Sequence, residues 1–331
     1  MSDPHEHNFH TPPPIPAPEA EPPRPTKMRP VAIALFVIGL IVLVGGIAKF
    51  IPGGILTGVA LACSGLLVFG LSFVPLPQVA GAEPPMSPLE KVSGMFYEPT
   101  RVFKNLRAHP RWLTAYIIIA VMSIAYSIAF VQRLTPERVV NFTIDKVAES
   151  GFMTADKVEE VRAQRIEDAK NPVQRVGSAV NSAVGIFILF CFFAAVFLLL
   201  TLAFGGRINF WQALAAILYA TLPVTIIEKA LSLVILYVKS PDDIHPILGQ
   251  QTLVQDNLGI LFSPATHPVL FVAGTSIGLL SFYRLWLTAK GLQYAGQKVS
   301  SGAAWGVTIT VWILTLILGM ISAALFSSFM S

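Results

Sequence analysis

Long uncharged runs broken by short charged connectors set the pattern of this chain. Seven windows of at least 18 residues hold no Asp, Glu, Lys or Arg: 31–48, 50–82, 112–132, 176–206, 208–227, 257–283 and 299–331. A helix of about 20 apolar residues crosses roughly 30 Å of hydrocarbon, and each window is long enough to supply one. The predicted spans are Pro30–Phe50, Ile55–Phe73, Trp112–Val131, Val180–Phe204, Phe210–Tyr237, Pro268–Leu287 and Trp305–Phe329. The predicted fold class is therefore all-α, a polytopic transmembrane helical bundle of about seven spans.

The connectors divide the chain further. Residues 1–30 contain ten prolines and no apolar period, so this tail cannot bury enough surface to offset the entropy of ordering and is expected to be disordered. Its His5, His7 and His10 carry no metal assignment. Residues 31–75 read as a helical hairpin turning at IPGG, with Gly54 and Gly58 four apart, a spacing that lets helix backbones approach closely in lipid.

Residues 76–111 read as a cytoplasmic linker that ends in a short helix. From Pro99, well placed in a first helical turn, Val102, Phe103 and Leu106 make an apolar stripe, and Arg101, Lys104, Arg107 and Arg111 recur at steps of three and four on another face. That pattern predicts a helix lying flat on a membrane, where each basic group near an anionic leaflet contributes about 1 kcal/mol. Residues 112–331 would form a membrane domain of five spans, interrupted at 133–175 by a polar section with eight acids balancing eight bases. Within it, helices are expected from Thr135 to Gly151 and from Thr154 to just before Pro172, with solvated charged faces.

Composition agrees with this layout. The 331 residues are 54% apolar and 13% charged, against about 25% charged in soluble domains. With the amino terminus in the cytoplasm, twelve basic residues fall on the inner side and only Lys49, Lys229 and Lys239 on the other, if 133–175 is set aside. Counting that section nearly erases the bias, but it is charge-balanced, and the short loops follow the positive-inside tendency. The expected orientation is thus amino terminus in the cytoplasm and carboxyl terminus outside. Cys63 and Cys191 lie within spans and read as small core residues.

Candidate chemistry is sparse. GTSIG at 274–278 fits the GxSxG nucleophile pattern around Ser276, but that motif needs a strand, a sharp turn and a helix; here it falls in a predicted span, where Gly274 and Gly278 read instead as a helix-packing pair. Glu228 and Lys229 are the ionisable pair away from span ends, and neighbours on a helix point about 100° apart, poorly placed to pair. Pro223 would kink their helix. Asp242, Asp243, His245, Asp256 and His267 match no metal-ligand spacing. Arg284 is expected near the cytoplasmic end of its span, snorkelling, with Tyr283 and Trp286 in an interfacial belt. No catalytic residue, cofactor or metal is expected, and no nucleic-acid partner. The expected partners are anionic lipids and other proteins, with room for a homo-oligomer.

From about Met95 onward the chain resembles the Yip1 domain, a five-span membrane domain. The residues that carry the resemblance are FYEPTRVFKNLRAHPRWL before the first span of the domain, FWQALAAILYATLPVTII in the third, DNLGILFSP, and FYRLWLTAKGLQYAGQKVSSGAAWGVTITVWIL through the last two. The resemblance implies a cytoplasmic amino terminus and an outward carboxyl terminus, and the chain looks like the bacterial members, which places it in a bacterial cytoplasmic membrane. Eukaryotic members are linked with small GTPases of vesicle traffic and with membrane shaping, and the family supplies no catalytic residues to carry over. This chain departs from it by an extra amino-terminal hairpin and a proline-rich tail. A non-enzymatic scaffold or membrane organiser is the first functional expectation, and a transporter or channel for a lipid or small solute is the alternative.

Overall fold

The computed structural model describes residues 28–79, 81–149 and 154–330; the expectation of disorder for 1–30, with its histidines, lies almost wholly outside them. Among the described residues every long element is a helix and no named strand occurs. α1 (Arg29–Ile47) and α2 (Gly54–Leu71) form the hairpin. Glycines let the two backbones touch: a methyl placed on Gly65 would stand 2.6 Å from the Phe36 amide nitrogen, so no larger side chain fits there. Cys63 faces outward on α2, contrary to its reading as a core residue, whereas Cys191 is buried.

The linker holds one helix more than the sequence led us to expect. α3 (Pro88–Tyr97) precedes α4 (Pro99–Ala108). Ser87 starts α3 as a capping box: its hydroxyl accepts from the Glu90 amide at 3.2 Å, and the Glu90 carboxylate accepts from the Ser87 amide at 2.7 Å. α5 (Leu113–Leu134) is followed by two polar helices, α6 (Pro136–Glu149) and α7 (Ala155–Lys170). An Arg162–Asp145 pair at 2.7 Å and a Lys170–Glu137 pair at 2.8 Å join α7 to α6. A single residue, Asn171, separates α8 (Pro172–Ala203) from α7. α8 therefore extends eight residues before the expected Val180 start.

α9 (Phe210–Val238) is the axis of the bundle. Its first half is buried almost all round, from Phe210 through Ala220 and on to Thr225, the signature of a helix enclosed by others rather than by lipid. Its start is fixed by an Asn209–Gln212 capping box and by the Trp211 indole, which donates to the Val74 carbonyl at 2.9 Å and so ties it to the end of the hairpin. Pro223 lies buried inside this unbroken helix.

A short α10 (Gly249–Thr252) leads into an irregular loop, after which α11 (Pro268–Thr275), α12 (Leu279–Ala295) and α13 (Ser301–Leu325) complete the chain. Here the structure corrects the sequence reading. The expected continuous span Pro268–Leu287 is broken at Ser276–Gly278, and α12 runs on to Ala295. Among the described residues six helices are long and apolar enough to cross a membrane, namely α1, α2, α5, α8, α9 and α13, and the broken α11–α12 element stands in place of the seventh expected span.

The cause of the break is a segment of loop that takes up the backbone groups the helix would have used. Leu258 donates to the Ile277 carbonyl at 3.0 Å, and Leu279 donates to the Asp256 carbonyl at 3.3 Å. Gly274 and Gly278 admit that loop: a methyl on Gly274 would meet Leu258 and Gly259, and one on Gly278 would lie 2.7 Å from the Asn257 side chain. The two glycines are thus close-packing positions, but for an extended loop rather than for a second helix.

Candidate functional site: a basic platform and a polar cleft

Two places gather polar chemistry. The first is α4. Its apolar stripe is sealed, with Val102, Phe103 and Leu106 0% exposed. Phe103 packs where α12 carries Gly291 and α9 carries Ala216. The expected raft with its apolar face in lipid is therefore corrected: that face belongs to the protein core, because α9 and α12 offer small residues that receive it. Asn105 clamps the linker below, accepting from the Met86 amide at 3.2 Å and donating to the Pro84 carbonyl at 3.0 Å.

The four expected basic residues divide three to one. Arg101 and Lys104 on α4 are exposed, and so is Arg111, which lies three residues past the end of the helix rather than on its face. Arg107 is a fastener: it donates to the Gln297 carbonyl at 2.8 Å, while its own carbonyl accepts from Gln212 at 2.6 Å. Lys104 also lies 5.7 Å from the Tyr294 ring, and Arg101 pairs with Glu98 at 3.4 Å. Beneath them Lys91 is 1% exposed, and its ammonium has no hydrogen-bond partner among the described residues. Burial first, and the nearby Arg111 charge second, push it down to about 8. No sequence pattern marked Lys91, because a lysine within a capped polar linker reads as solvated.

The second place is a cleft of about 380 Å³ at the helix break, lined by Glu228, Asp256 and Arg284 among other residues. Asp256 holds the start of α12: one carboxylate oxygen accepts from the Leu280 amide at 2.7 Å, an acid at the positive end of a helix. Glu228 and Lys229 do pair, at 2.8 Å, contrary to the expectation from their adjacent positions, because two long side chains can curl together; the Lys229 ammonium also lies 4.9 Å from the Tyr126 ring. α12 continues eleven residues past Arg284, about 16 Å at helical rise and well beyond the expected Leu287. Arg284 lines the same cleft as Glu228 and Asp256.

The geometry is that of an all-helical membrane domain whose first element is a docked basic helix, and its sequence matches one family. The Yip1 domain pattern covers residues 93–323, well over half of the chain, starting inside α3 and ending within α13. The chain belongs to the Yip1 domain family. No curated protein and no solved structure matches it. It is an integral membrane protein with several membrane-crossing helices.

Within the Yip1 domain, the other candidates named from sequence go to separate places. Ser276 lies in the break and its hydroxyl donates to the Val272 carbonyl at 3.3 Å. Asp242 pairs with Arg138 at 3.1 Å, His245 accepts through Nδ1 from the Ile247 and Leu248 amides at 3.2 and 3.1 Å, and Asp256 is committed to α12. Among the described residues no three His, Cys, Asp or Glu side chains cluster as metal ligands would.

Proposed function

We propose that this Yip1 domain protein is a non-enzymatic membrane organiser of a bacterial cytoplasmic membrane. Its basic helix α4 and the turn that follows it face the cytoplasm and present Arg101, Lys104 and Arg111 to anionic lipid and to protein partners. One observation carries this reading: the apolar side of α4 is completely buried in the bundle while those three charges stay exposed. A charge cluster on a rigid base binds without first ordering a helix, so little of the interaction is lost to entropy. The amino terminus lies inside and the carboxyl terminus outside on this reading, in line with the positive-inside tendency.

The test is R101Q/K104Q/R111Q, sparing Arg107 because it holds the fold. At about 1 kcal/mol per charge, the preference for anionic over neutral lipid should fall on the order of a hundredfold. Native-membrane crosslinking should also lose partners bound to wild type. Unchanged lipid preference together with unchanged crosslinks would defeat the proposal, and so would a reporter at residue 105 facing away from the cytosol.

A second reading, a carrier for a small solute or lipid, is favoured by the cleft. Charged groups at an interrupted membrane helix are the arrangement by which many transporters hold substrate. Flux in proteoliposomes that drops in D256N and R284Q would support it. A chain that stays inert toward a broad solute and lipid panel would not.

A further inference from the structure

A concavity with an unassigned role lies elsewhere, between the middle of α5, the start of α8 and the polar helix α7. It measures about 520 Å³. Its two ends differ in chemistry. Toward the polar insertion it is lined by Arg165, Asp168, Gln174 and Arg175, and along the two apolar helices by Ile124, Ile128, Val131 and Ile186. Between them stand four hydroxyls: Ser123 and Ser127 on α5, and Ser178 and Ser182 on α8, each pair one helical turn apart. From Arg175 to Ile186 is about 16 Å along α8, so the polar rim and the apolar floor are separated by most of a bilayer leaflet.

The charges at the rim are unevenly satisfied. Asp168 is engaged by the Gln174 amide at 3.0 Å. Arg175 spends its Nε on the Ala169 carbonyl at 2.9 Å, and its Nη groups have no partner among the described residues. Arg165 makes no hydrogen bond or ion pair there. Two guanidiniums against one carboxylate leave the rim short of an anion, and guanidinium forks fit phosphate well. Ser123, Ser127 and Ser178 add hydroxyls below, while the Ser182 hydroxyl donates to the Ser178 carbonyl at 2.9 Å. An apolar floor under a basic, donor-rich rim is the shape of an amphiphile.

We propose that this cleft binds one anionic phospholipid, its phosphate held by Arg165 and Arg175 and its chains lying between α5 and α8. The polar insertion is then the headgroup clamp of a lipid site. This inference stands apart from the basic platform and does not depend on it.

The experiment is native mass spectrometry of the full chain released from detergent, titrated with phosphatidylglycerol, with phosphatidylcholine, and with inorganic phosphate as competitor. Wild type should retain one phosphatidylglycerol with about tenfold preference over phosphatidylcholine. R165Q/R175Q, both exposed positions, should cut the preference to near unity, and S182W, which fills the cleft, should remove retention of both lipids. Monodispersity with an unaltered melting temperature certifies each variant as folded. The proposal is overturned if the preference survives R165Q/R175Q, if S182W still retains lipid, or if millimolar phosphate strips phosphatidylglycerol completely, which would mean a site for a soluble anion without use of the apolar floor.

Discussion

The hairpin and the broken helix use the same residue type for opposite ends. In α1–α2, Gly65 and its neighbours bring two regular helices into backbone contact, and every peptide group there is already satisfied within its own helix. In α11–α12, Gly274 and Gly278 also remove side chains, but the backbone that enters is a loop, and it completes hydrogen bonds that the helix has given up. Close approach between two satisfied backbones makes a dry joint. Close approach between two unsatisfied ones brings Asp256, with the polar surface around it, into the membrane domain. Small residues in a membrane sequence therefore do not by themselves say which of these will form.

The dry joint should break hardest. Gly65→Leu drives a side chain into the backbone of Phe36, which has no flexible end to yield. Overpacking of this kind costs about 3 kcal/mol or more. The expected outcome is loss of monodisperse protein in detergent and a lower melting temperature. A normal melting curve would mean the hairpin is more loosely packed than its glycines imply.

The platform gives a contrast in a titration. Lys91 is held at about 8 by burial and by Arg111, whereas an unfolded lysine titrates near 10.4. Below pH 8 both states are protonated and the folded state bears the full cost of the buried ammonium. Between about 8 and 10.4 only the unfolded state keeps the proton, so it binds more protons and stability rises with pH, by at most about 3 kcal/mol. Melting temperature should climb from pH 8 to pH 10 in wild type relative to K91M. Parallel curves for the two proteins would show that the Lys91 ammonium is solvated.

What the sequence revealed and what it hid follow the same division. The uncharged windows gave the unbroken spans because span formation is local: about 20 apolar residues suffice wherever they occur. The α4 stripe was legible too, but not its occupant, since an apolar face reads identically whether lipid or protein covers it. The break at Ser276–Gly278 was hidden because its cause sits about twenty residues earlier, at Asp256–Leu258, on the edge of an uncharged window that shows no interruption of its own. α3 could have been found, since SPLE is a capping-box pattern, yet the prolines around it argued for loop. The cleft beneath the insertion draws on α5, α7 and α8, and no one segment of sequence contains it.

The broken helix offers a smaller effect than either joint. Asp256→Ala removes the acceptor for the Leu280 amide at the start of α12 and should cost about 1 to 2 kcal/mol, as loss of a helix cap does. Asp256→Asn keeps an acceptor and should cost well under half of that. Thermal unfolding of the two variants side by side distinguishes them. Equal losses would assign the role of Asp256 to its charge rather than to the bond.

The smallest effect concerns how the hairpin is attached to the Yip1 domain. Asn181 on α8 donates to the Thr57 hydroxyl on α2 at 3.3 Å, and Gly177 leaves room for the same threonine. Interhelical hydrogen bonds in membranes average about 0.6 kcal/mol in double-mutant cycles, so a cycle of T57V and N181A should return a coupling of about that size. Such a value would make packing the main attachment, with the Trp211 bond to Val74 as the polar pin at the far end. A coupling above about 1.7 kcal/mol would exceed the range seen for such bonds. It would mean that α2 and α8 meet through polar chemistry, and the hairpin would then resemble the broken helix rather than oppose it.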